Sequence, residues 1–535
     1  MSGRWAIRGR IVTMDDAQTV VPQGTLYIDG ERIAGVGKAG QPAPAGFEQA
    51  KAVDTQGTIY PGLIELHNHL SYDVLRLWQV PKTYTNRSQW QNATAYKRAV
   101  TAPMSVLAKA DDGRLLAAIV RYVECKCLLG GVTSSQGITL SNWSGEIHRY
   151  YKGVFRAVEI GGPNLPHAQS HIQDVAAADW DKFYGVLQAA SCLLLHLSEG
   201  VDAEARSNFL SLYNKDKDKW AVTKALAGIH CTALQAADFE VMAKNGASTI
   251  WSPLSNLLLY GQTTDIAAAR KAGVRLALGS DWSPSGSKNL LGELKAARIH
   301  ADHANLAFSD YDIVSLATRN PAAILGWNGQ LGSLETGKLA DLLVVAGTDK
   351  DPYRQLIDAK DAAVGLVAVG GRPRYGTAAI MKALAVTGET LTVGGAARVL
   401  DLDDPQSDPD IEKLTLADAT THLAAALKGL PQSKSAQEAM LLSAQAKSMP
   451  IQRHTKWRLA LEEQEHHNVE LRPRLEIAGV QTGPSLAAVK AEDVKVDSMT
   501  LDPLTIADDT AFAATFAAEI NVPDYMKTGL KAYWT

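Results

Sequence analysis

The chain has 535 residues, 46% apolar and 21% charged, with 53 basic against 57 acidic side chains and a net charge of −4. This is the composition of a folded globular protein long enough for two or three domains, with a core that needs no disulfide or structural metal. So even a charge balance gives no reason to expect nucleic acid or an anionic membrane as partner. Four cysteines, Cys125, Cys127, Cys192 and Cys231, are too few for a disulfide framework, and Cys125 and Cys127 read as small residues on a helix before Gly130. The N-terminal MSGRWAIRGRIV has no signal-peptide core, and no apolar run approaches the roughly 18 residues of a membrane span. A soluble cytoplasmic protein is expected.

Residues 1–58 read as short strands with turns: Trp5–Met14, Thr25–Ile28 and, after Asp29-Gly30, Ile33–Val36. Comparable strands return only at Asp341–Val345 and Val364–Val369. Neither half encloses a core, so 1–58 and 331–375 are expected to pair as one small β-sandwich domain. Between them, 59–330 alternates strands with helices. The predicted strands are Ile59–Leu66, Gly131–Ser135, Gly153–Ile160, Cys192–His196, Gly228–Cys231, Ser248–Trp251 and Arg275–Gly279, and the fourth of eight falls in the poorly patterned Gly162–Ile172. The helices are Gly113–Leu129, Asp181–Ala190, Ala233–Asn245, Asp265–Ala272 and Gly292–Ala304. The fold class is therefore α/β, a (β/α)8 TIM-like barrel inserted in the small domain. Residues 376–535 form a mainly helical C-terminal extension (Leu416–Leu427, Ala436–Ala446, Leu459–His466) with an aromatic tail around Phe512–Trp534.

The chemistry lies at strand ends. His67-Asn68-His69 closes the first strand, and residues two apart project to one side, at the carboxyl end where barrel active sites sit. Alone, such a pair says little. Three further apolar strands end on His196 (with Glu199 three residues on), His230 and Asp281. Five imidazoles and carboxylates on one rim would be costly as unpaired core groups, and they are the donors that divalent ions prefer.

The string Tyr60-Pro-Gly-Leu-Ile-Glu-Leu-His-Asn-His69 resembles the first-strand motif of the amidohydrolase superfamily. His196-Leu-Ser-Glu199, Ile229-His230-Cys231, Ser252-Pro-Leu-Ser-Asn256, Leu278-Gly-Ser-Asp281 and the 332–344 segment are similar to its later signatures, in order. The likeness covers about 1–375 and is nearest the mononuclear branch of cytosine and guanine deaminases and triazine chlorohydrolases. It implies one divalent ion, Zn2+ or in some members Fe2+, held by His67, His69, His196 and Asp281. It also implies that His230 orients a water, Asp281 takes its proton, and Glu199 carries a proton to the leaving group. Between Gly153 and His196 no lysine ends a strand as the bridging lysine of binuclear relatives does; Lys182 falls on a polar helix.

The resemblance implies a small-molecule substrate and hydrolysis of a carbon–nitrogen bond, by ring deamination or amide hydrolysis. Ring dechlorination, a binuclear cyclic-amide hydrolase and a non-catalytic binding relative are the other readings. Pocket candidates are Trp78, Arg87 and Trp90 after the first strand, His167 and His171 near the fourth, Ser255 and Asn256 after the seventh, and Trp282 and Ser283 after the eighth. A closed homo-oligomer, simplest as a dimer, is expected.

Overall fold

A computed structural model describes residues 3–144, 147–171, 180–348, 350–408, 411, 413–446, 453–461 and 494–534. Both ends of the predicted small domain meet in one nine-stranded sheet. Its order is 389–393, 396–400, 372–377, 364–369, 342–346, 53–61, 4–12, 20–29, 32–38. Leu342–Ala346 runs antiparallel to Val53–Pro61, with Val344 opposite Ile59, so the two chain ends join at the middle of the sheet. Its own apolar cluster draws Ile7, Ile11, Leu26 and Ile28 from one end and Leu342, Val344, Leu366 and Ala368 from the other.

The strand expected at Ile59–Leu66 is two strands. Val53–Pro61 belongs to the nine-stranded sheet and Leu63–Glu65 to the parallel strands that follow. Gly62 separates them where a Cβ would lie 2.4 Å from the Thr133 side chain. The sheet thus reaches Pro61 rather than residue 58, and on the other side Leu400 rather than 375.

Eight short parallel strands follow: β1 Leu63–Glu65, β2 Val132–Ser135, β3 Arg156–Ala157, β4 Gln169–His171, β5 Leu193–Leu197, β6 Leu226–His230, β7 Ser248–Trp251 and β8 Arg275–Leu278. They form the sheets β1-β2-β3 and β4-β5-β6-β7-β8. The Ala168 N–H donates to Val158 O at 2.9 Å between β3 and β4. Beyond β8, Asn68 and Asp281 form a parallel bridge back to the chain following β1. The architecture is α/β, parallel strands with helices packed around them.

Side chains alternate as pleated strands require. On β5, Leu193, Leu195 and Leu197 join the large cluster shared with the surrounding helices, while Leu194 joins a smaller one with Ile64, Leu66, Ile229, Ile250 and Ala277. His196 lies two residues beyond Leu194, on the same side. Helix Gly113–Leu129 begins on Asp112, whose carboxylate accepts the Arg114 and Leu115 N–H groups, and carries Cys125 and Cys127 buried as free thiols.

In the extension, helix Leu416–Lys428 packs on helix Gly113–Leu129, and Phe512–Ala517 and Asp524–Trp534 follow the tail. The helix expected from Leu459 begins instead as a strand, Trp457–Leu459, paired with Thr139–Asn142; its remainder, 462–466, lies outside the described residues. Local alternation Trp-Arg-Leu suits a strand once an exposed edge is available to pair with.

Candidate metal centre

The strand ends bring four imidazoles and a carboxylate to one buried point. The His67 ring lies 4.7 Å from those of His69 and His196 and 5.0 Å from that of His230. Asp281 Oδ1 sits 2.9 Å from His67 Nε2 and 3.2 Å from His69 Nε2. One donor atom from each of His67, His69 and Asp281, and likewise from each of His67, His196 and His230, falls within a 4.8 Å span. His67 Nε2 and His196 Nδ1 are buried and find no hydrogen-bond partner among the described residues. The approach of His67 to Asp281 is thus a contact without hydrogen-bond geometry. Burial pushes His67 down to about 4 and His196 well below the usual imidazole range. Burial would raise Asp281, yet the facing His67, His69 and His230 together hold the carboxyl well below the usual range. Neutral imidazoles beside a charged carboxylate, with ring nitrogens lacking partners, are the state that a divalent ion requires of its ligands.

Neighbours fix these rings. Gln136, directly after β2, places Oε1 3.2 Å from His67 Nδ1 and accepts the Asn68 N–H at 3.0 Å. Ser255 donates to Asp281 Oδ2 at 2.5 Å. The Asn256 Oδ1 lies 2.9 Å from His230 Nδ1. Beneath them Glu65, raised to about 7 by burial, accepts from the Ser280 N–H and hydroxyl. His230 and Asp281 adopt left-handed backbone, φ 65° and 67°, which costs a non-glycine residue about 1–2 kcal/mol. At His230 this departs from strict alternation, since the inward positions of β6 are Ala227 and Ile229. Glu199 accepts from Arg87 Nη1 at 3.0 Å and from the Tyr260 hydroxyl at 2.7 Å, and lies 3.8 Å from His230 Nε2.

Residues 203–374 match the family model described as the amidohydrolase family. That segment of the chain is thus similar to the amidohydrolase family. The chain is 26% identical over 380 residues to the 5-methylthioadenosine/S-adenosylhomocysteine deaminase of Symbiobacterium thermophilum, covering 63% of this chain and 84% of that protein. An adenosine deaminase from Xanthomonas campestris with bound zinc superposes with a TM-score of 0.53 at 19% identity, over 69% of this chain and 92% of that one. The atrazine chlorohydrolase of Arthrobacter aurescens, complexed with zinc, gives 0.54 at 19% identity over 78% and 99%. These two likenesses speak for the fold.

Around this centre, the expected pocket residues separate into two groups. Trp282 meets the His69 ring edge-on at 5.2 Å, and Trp90 and Tyr96 lie 6.2 and 6.1 Å from Trp282. Trp78 packs on Tyr96 at 5.4 Å, and Trp90 Nε1 donates to Tyr260 at 2.8 Å. Arg87 and Asn256 are engaged with Glu199 and His230 rather than standing free for a substrate. His167 is exposed and precedes β4, at the amino end away from the rim, because the strand begins only at Gln169. His171 closes β4, and its side chain lies outside the described residues. Sequence reasoning missed Gln136, Glu65 and Tyr260. Gln136 obeys the same strand-end rule as the histidines and was findable; Tyr260 sits a full helix beyond β7 and gave no signal.

Proposed function

We propose that this protein releases ammonia from an amino-substituted nitrogen ring, using one ion held by His67, His69, His196 and Asp281. It is a metal-dependent hydrolase of non-peptide carbon–nitrogen bonds. The observation that carries the site assignment is the pair of buried, unpartnered nitrogens, His67 Nε2 and His196 Nδ1, beside a charged Asp281. Three imidazoles and one carboxylate suit zinc, which supplies Lewis-acid activation of water near neutral pH. With Nδ1 tied to the Asn256 carbonyl, His230 carries its proton there and presents Nε2 as an acceptor that orients the water. Asp281 takes the proton, steadied by the Ser255 hydroxyl. Glu199, clamped by Arg87 and Tyr260, delivers a proton to the departing nitrogen. A departing amine needs that proton whereas chloride does not, which favours deamination over dechlorination, as does the sequence likeness to 5-methylthioadenosine/S-adenosylhomocysteine deaminases.

The proposal extends to the frame and setting. The eight parallel strands close as a (β/α)8 barrel, the nine-stranded sheet folds over as a sandwich, and the enzyme works as a cytoplasmic homo-oligomer. Among the described residues no helix is long and apolar enough to cross a membrane. The test is ammonia release from 5′-methylthioadenosine, S-adenosylhomocysteine, adenosine and guanine, beside chloride release from atrazine. Ammonia from at least one purine, with one ion per chain, supports the reading. Chloride without ammonia, two ions per chain, no stoichiometric ion, or full activity in His67→Ala would each overturn it.

A further inference from the structure

Far from the barrel in sequence, residues 502–521 return to the rim and bond to the loops that follow β1 and β8. Asp502 is buried and accepts from two buried lysines, Lys126 Nζ at 2.6 Å on one oxygen and Lys288 Nζ at 2.7 Å on the other. Lys126, on helix Gly113–Leu129, also donates to the Asp73 carbonyl at 2.9 Å and to Ser283 Oγ at 2.6 Å. Asp73 accepts the Ser283 N–H at 2.7 Å. One ammonium therefore pins both loops, two residues beyond Asp281 on one side and four beyond His69 on the other.

The same segment repeats the grip. The Asp502 N–H donates to Val74 O at 3.0 Å, and Tyr122 donates its hydroxyl to Asp502 O. Glu519 accepts the Val80 N–H at 3.1 Å, and Asn521 Nδ2 donates to Lys82 O and Leu258 O, each at 2.9 Å. The loops so held carry Trp78 and Trp282, and Trp78 N donates to Pro284 O at 2.7 Å. Lysines are almost never fully buried unless paired. Two of them converging on one carboxylate from the extension form a link that the extension alone completes.

We propose that Asp502 is a positioning residue. It holds Lys126, and through it the Asp73 and Ser283 loops, so that the aromatic wall beside the metal centre keeps the shape that binds substrate. The inference rests on the functional reading for its kinetic arm but not for its structural one. Asp502→Asn removes the charge with little change of shape, and the double variant Asp502→Asn/Lys126→Met also removes the ammonium that has lost that carboxylate. Four measurements are taken on the zinc-loaded protein: zinc content, melting temperature, hydrogen exchange of the amides in 72–84 and 282–288, and kinetics on 5′-methylthioadenosine.

In Asp502→Asn, zinc stays at one per chain, exchange in both loops quickens about tenfold, and KM rises more than kcat falls. In the double variant the melting temperature recovers, while loop exchange and KM do not. Unchanged exchange in both variants would overturn the proposal, and so would a KM that recovers together with the melting temperature, since that is the mark of a merely stabilising pair. Should Asp502→Asn fail to fold, the double variant carries the same test. If no compound is turned over even by the unmodified enzyme, the functional reading fails, and loop exchange still decides the role of Asp502.

Discussion

Gln136→Leu isolates the contribution of a side chain that touches a proposed metal ligand without being one. Its Oε1 serves two donors, the His67 ring at 3.2 Å and the Asn68 N–H at 3.0 Å. Because burial holds His67 down to about 4, the ring is neutral at pH 7 and has one N–H to place. Donation from Nδ1 to Gln136 leaves the lone pair on Nε2, facing Asp281 and His69. Leucine fills the volume but accepts nothing. Loss of such an outer partner lowers metal affinity about 10–100-fold, which is about 1.4–2.7 kcal/mol. The two stranded donors cost the metal-free protein about 1–3 kcal/mol each. Competition of the enzyme against a fluorescent zinc chelator reads the first quantity, and urea unfolding of the metal-free protein reads the second. Gln136→Glu keeps the acceptor and is expected to retain zinc at least as tightly as the unmodified enzyme. Wild-type zinc affinity in Gln136→Leu would refute the reasoning, for it would mean that the ring needs no help to present Nε2.

Two other perturbations follow from the same packing. Glu293, fully buried, accepts from the Ser287 hydroxyl and the Leu254 N–H, and burial raises it to about 8. A carboxyl protonated in the folded state and ionised in the unfolded one contributes stability that is full below about pH 4.5 and lost as pH rises through 8. Glu293→Gln is therefore expected to flatten the fall in stability between pH 5 and 8, seen as melting temperatures of the two proteins converging at low pH and parting at high pH; curves that stay parallel would refute this. At Gly279 an added methyl would lie 2.4 Å from His67 Cβ and 2.8 Å from its carbonyl oxygen. Gly279→Ala should cost about 1–3 kcal/mol of stability by overpacking and weaken zinc binding through displaced His67, measured by denaturant titration and zinc content; an alanine variant with both unchanged would show that the backbone there yields freely.

The legible part of the site is the part written as local pattern. His67, His69, His196 and Asp281 end apolar strands, and a strand that must bury its body at a barrel wall can expose polar atoms only at its end. The strands Val132–Ser135 and Ser248–Trp251 were readable because each follows a helix with a clear stop and carries two β-branched residues. The fourth strand was not, because Gln169–His171 holds no apolar run, and its place is set by pairing with Leu193–Leu195. The Ile59–Leu66 run was misread as one strand because hydrophobicity is continuous across Gly62; only the partners on either side, Leu343 for Tyr60 and Val132 for Leu63, show that the run changes sheets.

What the amino-acid sequence by itself determined was the set of histidines and carboxylates at strand ends and their order along the chain, since alternation and strand length act over a few residues. The tertiary structure alone decided which groups hold those donors. Gln136 behind His67, Ser255 on Asp281, Arg87 and Tyr260 on Glu199, and Asp502 between two lysines are each paired with residues many positions away. No periodicity encodes such pairs. They exist because a buried polar group must find its partner wherever the fold brings one within reach, and the extension beyond residue 400 supplies one of them, Asp502.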